Sequence, residues 1–183
     1  MAHTASQFAG EGHMSEDRVY SAIPTKILLP IDFSASSQAA LEMAADLALH
    51  FHASLHLVHV IPAFTATTFP DFTPELTVLR EARAEAEEHL RKCCGTLAAR
   101  GIDASFNVEE GNDVASVIVE EVEHANIDMV VISTHGIGGW HPLVFGSIAE
   151  KVVKLVQCPV LLLRSAKPAS SAKPAAGRLM EWW

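Results

Sequence analysis

The chain is predicted to be a single α/β domain, a doubly wound sheet of five parallel strands with helices on both faces. Two observations carry this. Short apolar runs of strand length alternate with longer stretches of helical period along the chain, and most of the strand runs are apolar on consecutive rather than alternate residues. Continuous apolarity marks strands buried on both faces, which is the condition of a parallel sheet sandwiched between helix layers. At 183 residues, 49% hydrophobic and 19% charged, the sequence is long enough for one sizeable core.

The elements follow in order. "KILLPID" (26–32) is a short apolar run closed by a turn, hence the first strand. "SASSQAALEMAADLALHF" (34–51) is a helix with Ser34 placed at its N-cap and Leu41, Ala44, Ala48 and Phe51 on one face. "ASLHLVHVI" (53–61) is the second strand. Thr73-Pro74-Glu75 then opens a helix running to about Arg100, with Leu76, Leu79, Ala86, Leu90, Cys93 and Leu97 inward and Gly101 ending it. "DASFNVEEG" (103–111) and "DVASVIVEEVEHA" (113–125) are the third strand and helix, and "IDMVVIS" (127–133) the fourth strand. A glycine-rich loop, a helix over 147–157 and "CPVLLLR" as fifth strand complete the domain. Residues 1–24 and 165–183 are polar or Ser-Ala-Lys-Pro-rich, and read as flexible segments flanking a 25–164 domain.

Composition removes several classes. Thirteen basic against twenty-two acidic side chains give a net charge of −9, the wrong sign for a nucleic-acid footprint. Cys93, Cys94 and Cys158 form neither a zinc spacing nor a disulfide framework, which points to a reducing, cytoplasmic setting. No apolar run reaches the roughly 18–20 residues that span a bilayer. His50, His52, His56 and His59 are close in sequence, but His56 and His59 point to opposite faces of a strand, so a metal site from them is not expected. His89 and His124 are expected to be solvated on their helices, and Cys93-Cys94 cannot both face one partner.

Chemistry is concentrated in "STHGIGGWHPLVFGS" (133–147). In doubly wound sheets ligands sit beyond the carboxyl ends of the strands, where strand order reverses. The first and fourth strands deliver "PIDFS" and "STHGIGG" there if they are neighbours. Glycines at 136, 138, 139 and 146 let bare amides approach an anion at a helix N-terminus, or simply let the loop turn. Ser147 and Glu150 also fit a capping box, which would explain Ser147 without a ligand. The loop is no Walker A, since no lysine is in place, and "PIDFSASS" is no dinucleotide fingerprint. No Lys or Arg lies between Val131 and Glu150, so phosphate charge must be met by amides, His135 or His141, a remote base or a bound Mg²⁺.

The spacing of Gly136, nine residues, then Gly146-Ser147 resembles the ATP-binding branch of the universal stress protein family, as do "KILLPIDFS", "LVHVI" and "CPVLLLR" in their order. The family pattern begins with a glycine where this chain has Ser133. The resemblance covers about residues 25–164. It implies adenine nucleotide binding, ATP in the first instance, with Pro30 shaping the turn, Ile31 beside the base, and Asp32 at the ribose hydroxyls or a Mg²⁺ ion. Val60 would offer its backbone to adenine. Ser133, His135, Gly136, Gly138, Gly139 and Gly146 would lie along the phosphates, with Ser147 and Ile148 donating. From the residues alone, Asp32 reads equally as a helix-capping carboxylate and Val60 as core. The family also implies a homodimer through the last strand, Pro159 to Arg164, an apolar edge that needs covering. A nucleotide-occupancy switch with an unknown protein partner is the leading expectation. A nucleotide-free partner-binding module is the second, and a slow ATP hydrolase the third, for which no general base with a positioned partner is visible.

Overall fold

The computed structural model describes residues 23–62, 76–134 and 146–164. Among these residues nine elements alternate: β1 (Lys26–Pro30), α1 (Ala35–Phe51), β2 (Ser54–Pro62), α2 (Leu76–Ala99), β3 (Ala104–Gly111), α3 (Val114–His124), β4 (Met129–Ser133), α4 (Ser147–Leu155) and β5 (Val160–Leu163). The strands form one parallel sheet in the order β3-β2-β1-β4-β5. The chain therefore winds outward from β1 to β3, returns, and winds the other way through β4 and β5. The reversal falls between β1 and β4, as the doubly wound reading requires.

Alternation along the strands divides the core in two. Ile27, Leu29, Leu55, Leu57 and Ile61 face α1 and α2, where they meet Leu41, Ala44, Ala48, Leu90 and Leu97. Leu28, Val58, Val60, Val130 and Ile132 face α3 and α4, against Ala115, Ile118, Val122, Ala149 and Val152. Small alanines line the inward face of α1, and with helices on both faces the middle of β1 is fully enclosed: Ile27, Leu28 and Leu29 are all 0% exposed. The inward face read from the sequence holds for Leu41, Ala44 and Ala48 on α1, and for Ala86, Leu90 and Leu97 on α2. The start of α2, with its proposed Thr73-Pro74 cap, lies outside the described residues, as do both flanking segments except Ile23 and Pro24.

Helix starts show how local chemistry sets boundaries. Ser34 caps α1 as expected, its hydroxyl accepting from the Ser37 N–H at 3.2 Å. α4 differs from expectation. Its N-cap is Gly146, with no side-chain cap, and Ser147 is already helical and exposed. The capping box therefore does not form: Glu150 turns outward to Lys154 at 2.6 Å, while its own N–H bonds the Gly146 carbonyl. The helix begins one residue earlier than the Ser-x-x-Glu pattern suggests because Gly146 is anchored from the strand side, by a contact with the end of β4.

Candidate functional site

Two strands that are held together at one end and released at the other make a crevice. At the amino end of the β1–β4 pair, the Asp128 carboxylate accepts from the Thr25 N–H at 2.8 Å, the Thr25 hydroxyl at 2.6 Å and the Lys26 N–H at 3.0 Å. Pairing then runs through Ile27–Met129 and Leu28–Val130 and stops there. β1 continues to Pro30 alongside β2, and β4 continues to Ser133 alongside β5. The β1–β4 ladder therefore ends short of the carboxyl ends, and Pro30, Ile31, Asp32, Ser133 and the start of α4 all belong to this one end of the sheet.

The floor on the β1 side is a tight, internally bonded turn. The Ile31 N–H donates to the Val58 carbonyl at 2.8 Å, which keeps the chain on β2 for one residue past β1. Phe33 then takes a left-handed backbone, φ 59°, an uncommon conformation for a bulky side chain. Its ring makes tilted contacts with two imidazoles, with centroids 4.6 Å from His59 and 5.3 Å from His89. His59 Nδ1 donates to the Ile31 carbonyl at 2.8 Å, so the same imidazole fixes both sides of the turn. His89 is half-buried on α2 rather than solvated as expected, because this ring stack draws it inward. His124 is exposed, as anticipated.

Asp32 has a structural role of its own. Its Oδ1 accepts from the Ser34 N–H at 3.0 Å and from the Ser34 hydroxyl at 2.5 Å, and that hydroxyl caps α1. Both readings of Asp32 concern one carboxylate that is already orienting a cap. Ile31 is 4% exposed within the α1–α2 core, and Val60 is 8% exposed on the other face. In a parallel ladder peptide groups alternate in direction. Since Val58 points its carbonyl at β1, Val60 directs its peptide groups the same way, two residues past the last β1 pair, Pro30–Val58. The backbone of Val60 therefore faces the crevice while its side chain packs in the core.

On the β4 side the key contact is between Thr134 and Gly146. Thr134 is 1% exposed and is bonded in two directions. Its N–H donates to the Leu163 carbonyl at the end of β5, at 2.8 Å, and its own carbonyl accepts the Gly146 N–H, also at 2.8 Å. A Cβ added at Gly146 would sit 2.9 Å from that same Thr134 carbonyl oxygen. Gly146 is thus required by close backbone approach at an ordinary φ of −57°, a reason invisible in the sequence. The bond pins the start of α4 against the carboxyl end of β4. The N–H groups of Ser147 and Ile148 then open the helix with no side chain of the described residues capping them, and both residues are exposed. Lys151, one turn further, pairs with Asp113 at 3.3 Å, and the Ser116 hydroxyl together with this ammonium holds the Asp113 carboxyl below its ordinary range.

His135, Gly136, Gly138, Gly139 and His141 lie outside the described residues. Among the described residues no group of three His, Cys, Asp or Glu side chains is arranged to hold a metal. No described helix is long and apolar enough to cross a membrane.

Comparison with known proteins agrees with this architecture. A universal stress protein of Methanocaldococcus jannaschii is 29% identical over 142 residues, covering 78% of this chain and 83% of the relative. Universal stress protein UspA from Lactobacillus plantarum superposes with a TM-score of 0.67 at 26% identity, over 79% of this chain and all of that one. Two further structures share the fold. One is a universal stress protein in complex with cAMP, with TM-score 0.58 and 18% identity, covering 78% of this chain and 98% of its own. The other is the Archaeoglobus fulgidus protein in complex with dAMP, with TM-score 0.54 and 20% identity, covering 75% and 96%. Residues 24–164 match the Universal stress protein family, and the chain belongs to it.

Proposed function

We propose that the chain binds an adenine nucleotide, ATP in the first instance, in the crevice between the carboxyl ends of β1 and β4, and that occupancy of this site is read by a partner. The observation that carries the reading is the position of α4. The Thr134–Gly146 bond holds its first turn at the carboxyl end of β4, the strand next to β1 where the order reverses. Amides at a helix start favour an anion by about 0.3–1 kcal/mol through the macrodipole alone, and several such contacts are needed for micromolar affinity, about 8 kcal/mol. The Ser147 and Ile148 N–H groups meet phosphate oxygens, the Val60 backbone meets the base edge, and Asp32 meets the ribose hydroxyls. Gly136, Gly138, Gly139, Ser133 and His135 complete the phosphate wall in this proposal. The cAMP and dAMP complexes of proteins with this fold support an adenine ligand.

Mg²⁺ fits here as a companion of the phosphates, with the Asp32 carboxylate at the same end of the sheet as the start of α4. When bound it would neutralise phosphate charge, while the chain's own groups orient the nucleotide. We further propose a cytoplasmic homodimer through β5, which is an edge strand ending the sheet and exposes Leu161. Equilibrium dialysis with labelled ATP, with and without Mg²⁺, tests the central reading. Saturable binding competed by other adenine nucleotides is expected, and no binding at millimolar ATP with Mg²⁺ would discard it.

A nucleotide-free interaction module is the second reading. It is favoured by the internal engagement of the Gly146 N–H and by Ser133 in place of the pattern's first glycine. Pulldown by the ligand-free protein, unchanged when ATP is added and in Asp32→Ala, would select it.

A further inference from the structure

On the α3 side of the sheet, at its β3 edge, three side chains form a relay separate from the nucleotide crevice. His56 on β2 is 6% exposed and Glu121 on α3 is 7% exposed. His56 Nε2 lies 2.6 Å from Glu121 Oε1, and His56 Nδ1 lies 2.8 Å from the Ser105 hydroxyl on β3. Glu121 Oε1 also accepts from Asn107 Nδ2 at 2.9 Å, which identifies the carboxylate as the acceptor of both contacts. In the tautomer that this contact selects, the ring proton sits on Nε2, toward Glu121. Nδ1 is left as an acceptor, and the Ser105 O–H donates to it. Ser105 is exposed while the two groups behind it are buried. This order, an open hydroxyl on a base that is oriented by a desolvated carboxylate, is that of an activated nucleophile.

The edge of the sheet supplies one more element. Among the described residues β3 is the outermost strand on this side. The Leu55 N–H donates to the Asp103 carbonyl, so alternation turns the Ser105 N–H toward β2 and the Phe106 N–H outward over the edge. The amide following a nucleophile is a position from which an oxyanion can be stabilised.

We propose that Ser105 is a nucleophilic acyl-accepting site, with His56 as its general base and Glu121 as the group that positions the imidazole. Toward an activated ester, the Ser105 oxygen forms a bond to the carbonyl carbon as its proton passes to His56 Nδ1. The tetrahedral adduct collapses, the bond to the leaving oxygen breaks, and that oxygen departs with the electron pair and takes up the proton from His56. The products are the Ser105 ester and the free alcohol, and no oxidant or metal enters the balance. Because Ser105 stands on an open edge, the site accepts small acyl groups without a deep selectivity pocket.

The full chain, treated with p-nitrophenyl acetate and separately with a fluorophosphonate probe, is read by intact mass and peptide mapping. One adduct on Ser105 is expected with each reagent. S105A, an exposed change that leaves the fold intact, should abolish it. E121Q keeps an acceptor for His56 and Asn107 and should slow labelling by about ten- to a hundred-fold, within the range of general-base contributions. An unlabelled wild-type chain, an adduct on another serine, or an E121Q rate equal to wild type in a folded protein would each overturn the proposal.

Discussion

Replacing Gly146 by alanine separates two reasons for a glycine that the sequence cannot tell apart. The added Cβ would lie 2.9 Å from the Thr134 carbonyl oxygen, which is backbone and cannot rotate away. Ordinary contact begins near 3.4 Å, so α4 or the end of β4 must give by about half an ångström. The Gly146 N–H bond to the same oxygen, 2.8 Å long, is stretched by the same movement. Losing that bond next to a buried residue costs about 1 kcal/mol, and crowding a packed backbone adds about 1–2 kcal/mol. The sum is about 2–3 kcal/mol, which for a chain of this size lowers Tm by about 5–10 °C. Thermal unfolding of the ligand-free protein, followed by circular dichroism, measures it directly. If glycine were needed only for phosphate approach, the ligand-free variant would melt with the wild type. A shift under about 1 °C, well below the range expected from such a loss, would refute the close-approach argument and the reason given for the position of α4.

Three further outcomes follow from the same contacts. Ser34→Ala removes the cap on α1 and one partner of Asp32, costing about 1 kcal/mol or about 2–4 °C in Tm, and an unchanged melt would contradict the cap. Phe33→Gly relieves about 1 kcal/mol of left-handed strain but forfeits ring contacts with His59 and His89 worth about 0.5–1.5 kcal/mol each, together with burial of the ring. Net destabilisation of about 1–2 kcal/mol is expected by urea titration, and a stabilised variant would show that the stack holds nothing. Burial, and secondarily the neighbouring Cys93, pushes the Cys94 thiol up to about 11. The raised value means that its thiolate is scarce until pH approaches that figure. Alkylation mapped at pH 8 should run about a hundred-fold slower at Cys94 than for an exposed thiol, and fast labelling would reopen a redox role.

The fold was legible because periodicity, caps and continuous apolar strands all answer to local chemistry. Ser34 before "ASSQAAL" signals its cap directly, and the strand-end "PID" and "IS" point to the switch point once the strands are taken as parallel. Three features were not legible, each for a stated reason. The Ser147–Glu150 pattern promises a cap, but Thr134, outside the local window, anchors the helix one residue earlier. His89 reads as a surface residue because nothing near it in sequence shows that Phe33 turns left-handed to meet it. Ser105, His56 and Glu121 come from three elements, 49 and 65 residues apart in their two contacts, so no motif search joins them. A histidine on a buried strand face and a glutamate on the inward stripe of α3 were the available signal: charged or titratable groups at core positions need partners.

The overall charge of −9 argues against an anionic ligand only if the field at the crevice follows the average. It does not have to, because exposed charges more than about 8–10 Å away are largely screened at physiological ionic strength. What acts at short range is the local set: amides at the start of α4, and Lys151 one turn beyond. Lys151 is half committed to Asp113, in an exposed pair of little intrinsic worth that a phosphate could displace without a large penalty. Asp113→Asn would release that ammonium, so the variant should bind ATP several-fold more tightly at low salt, with the gain fading as salt is raised. An affinity unchanged at low salt would mean that Lys151 does not contribute to the field at the crevice, and that in the proposed binding mode the phosphates would be met by the amides of α4 without it.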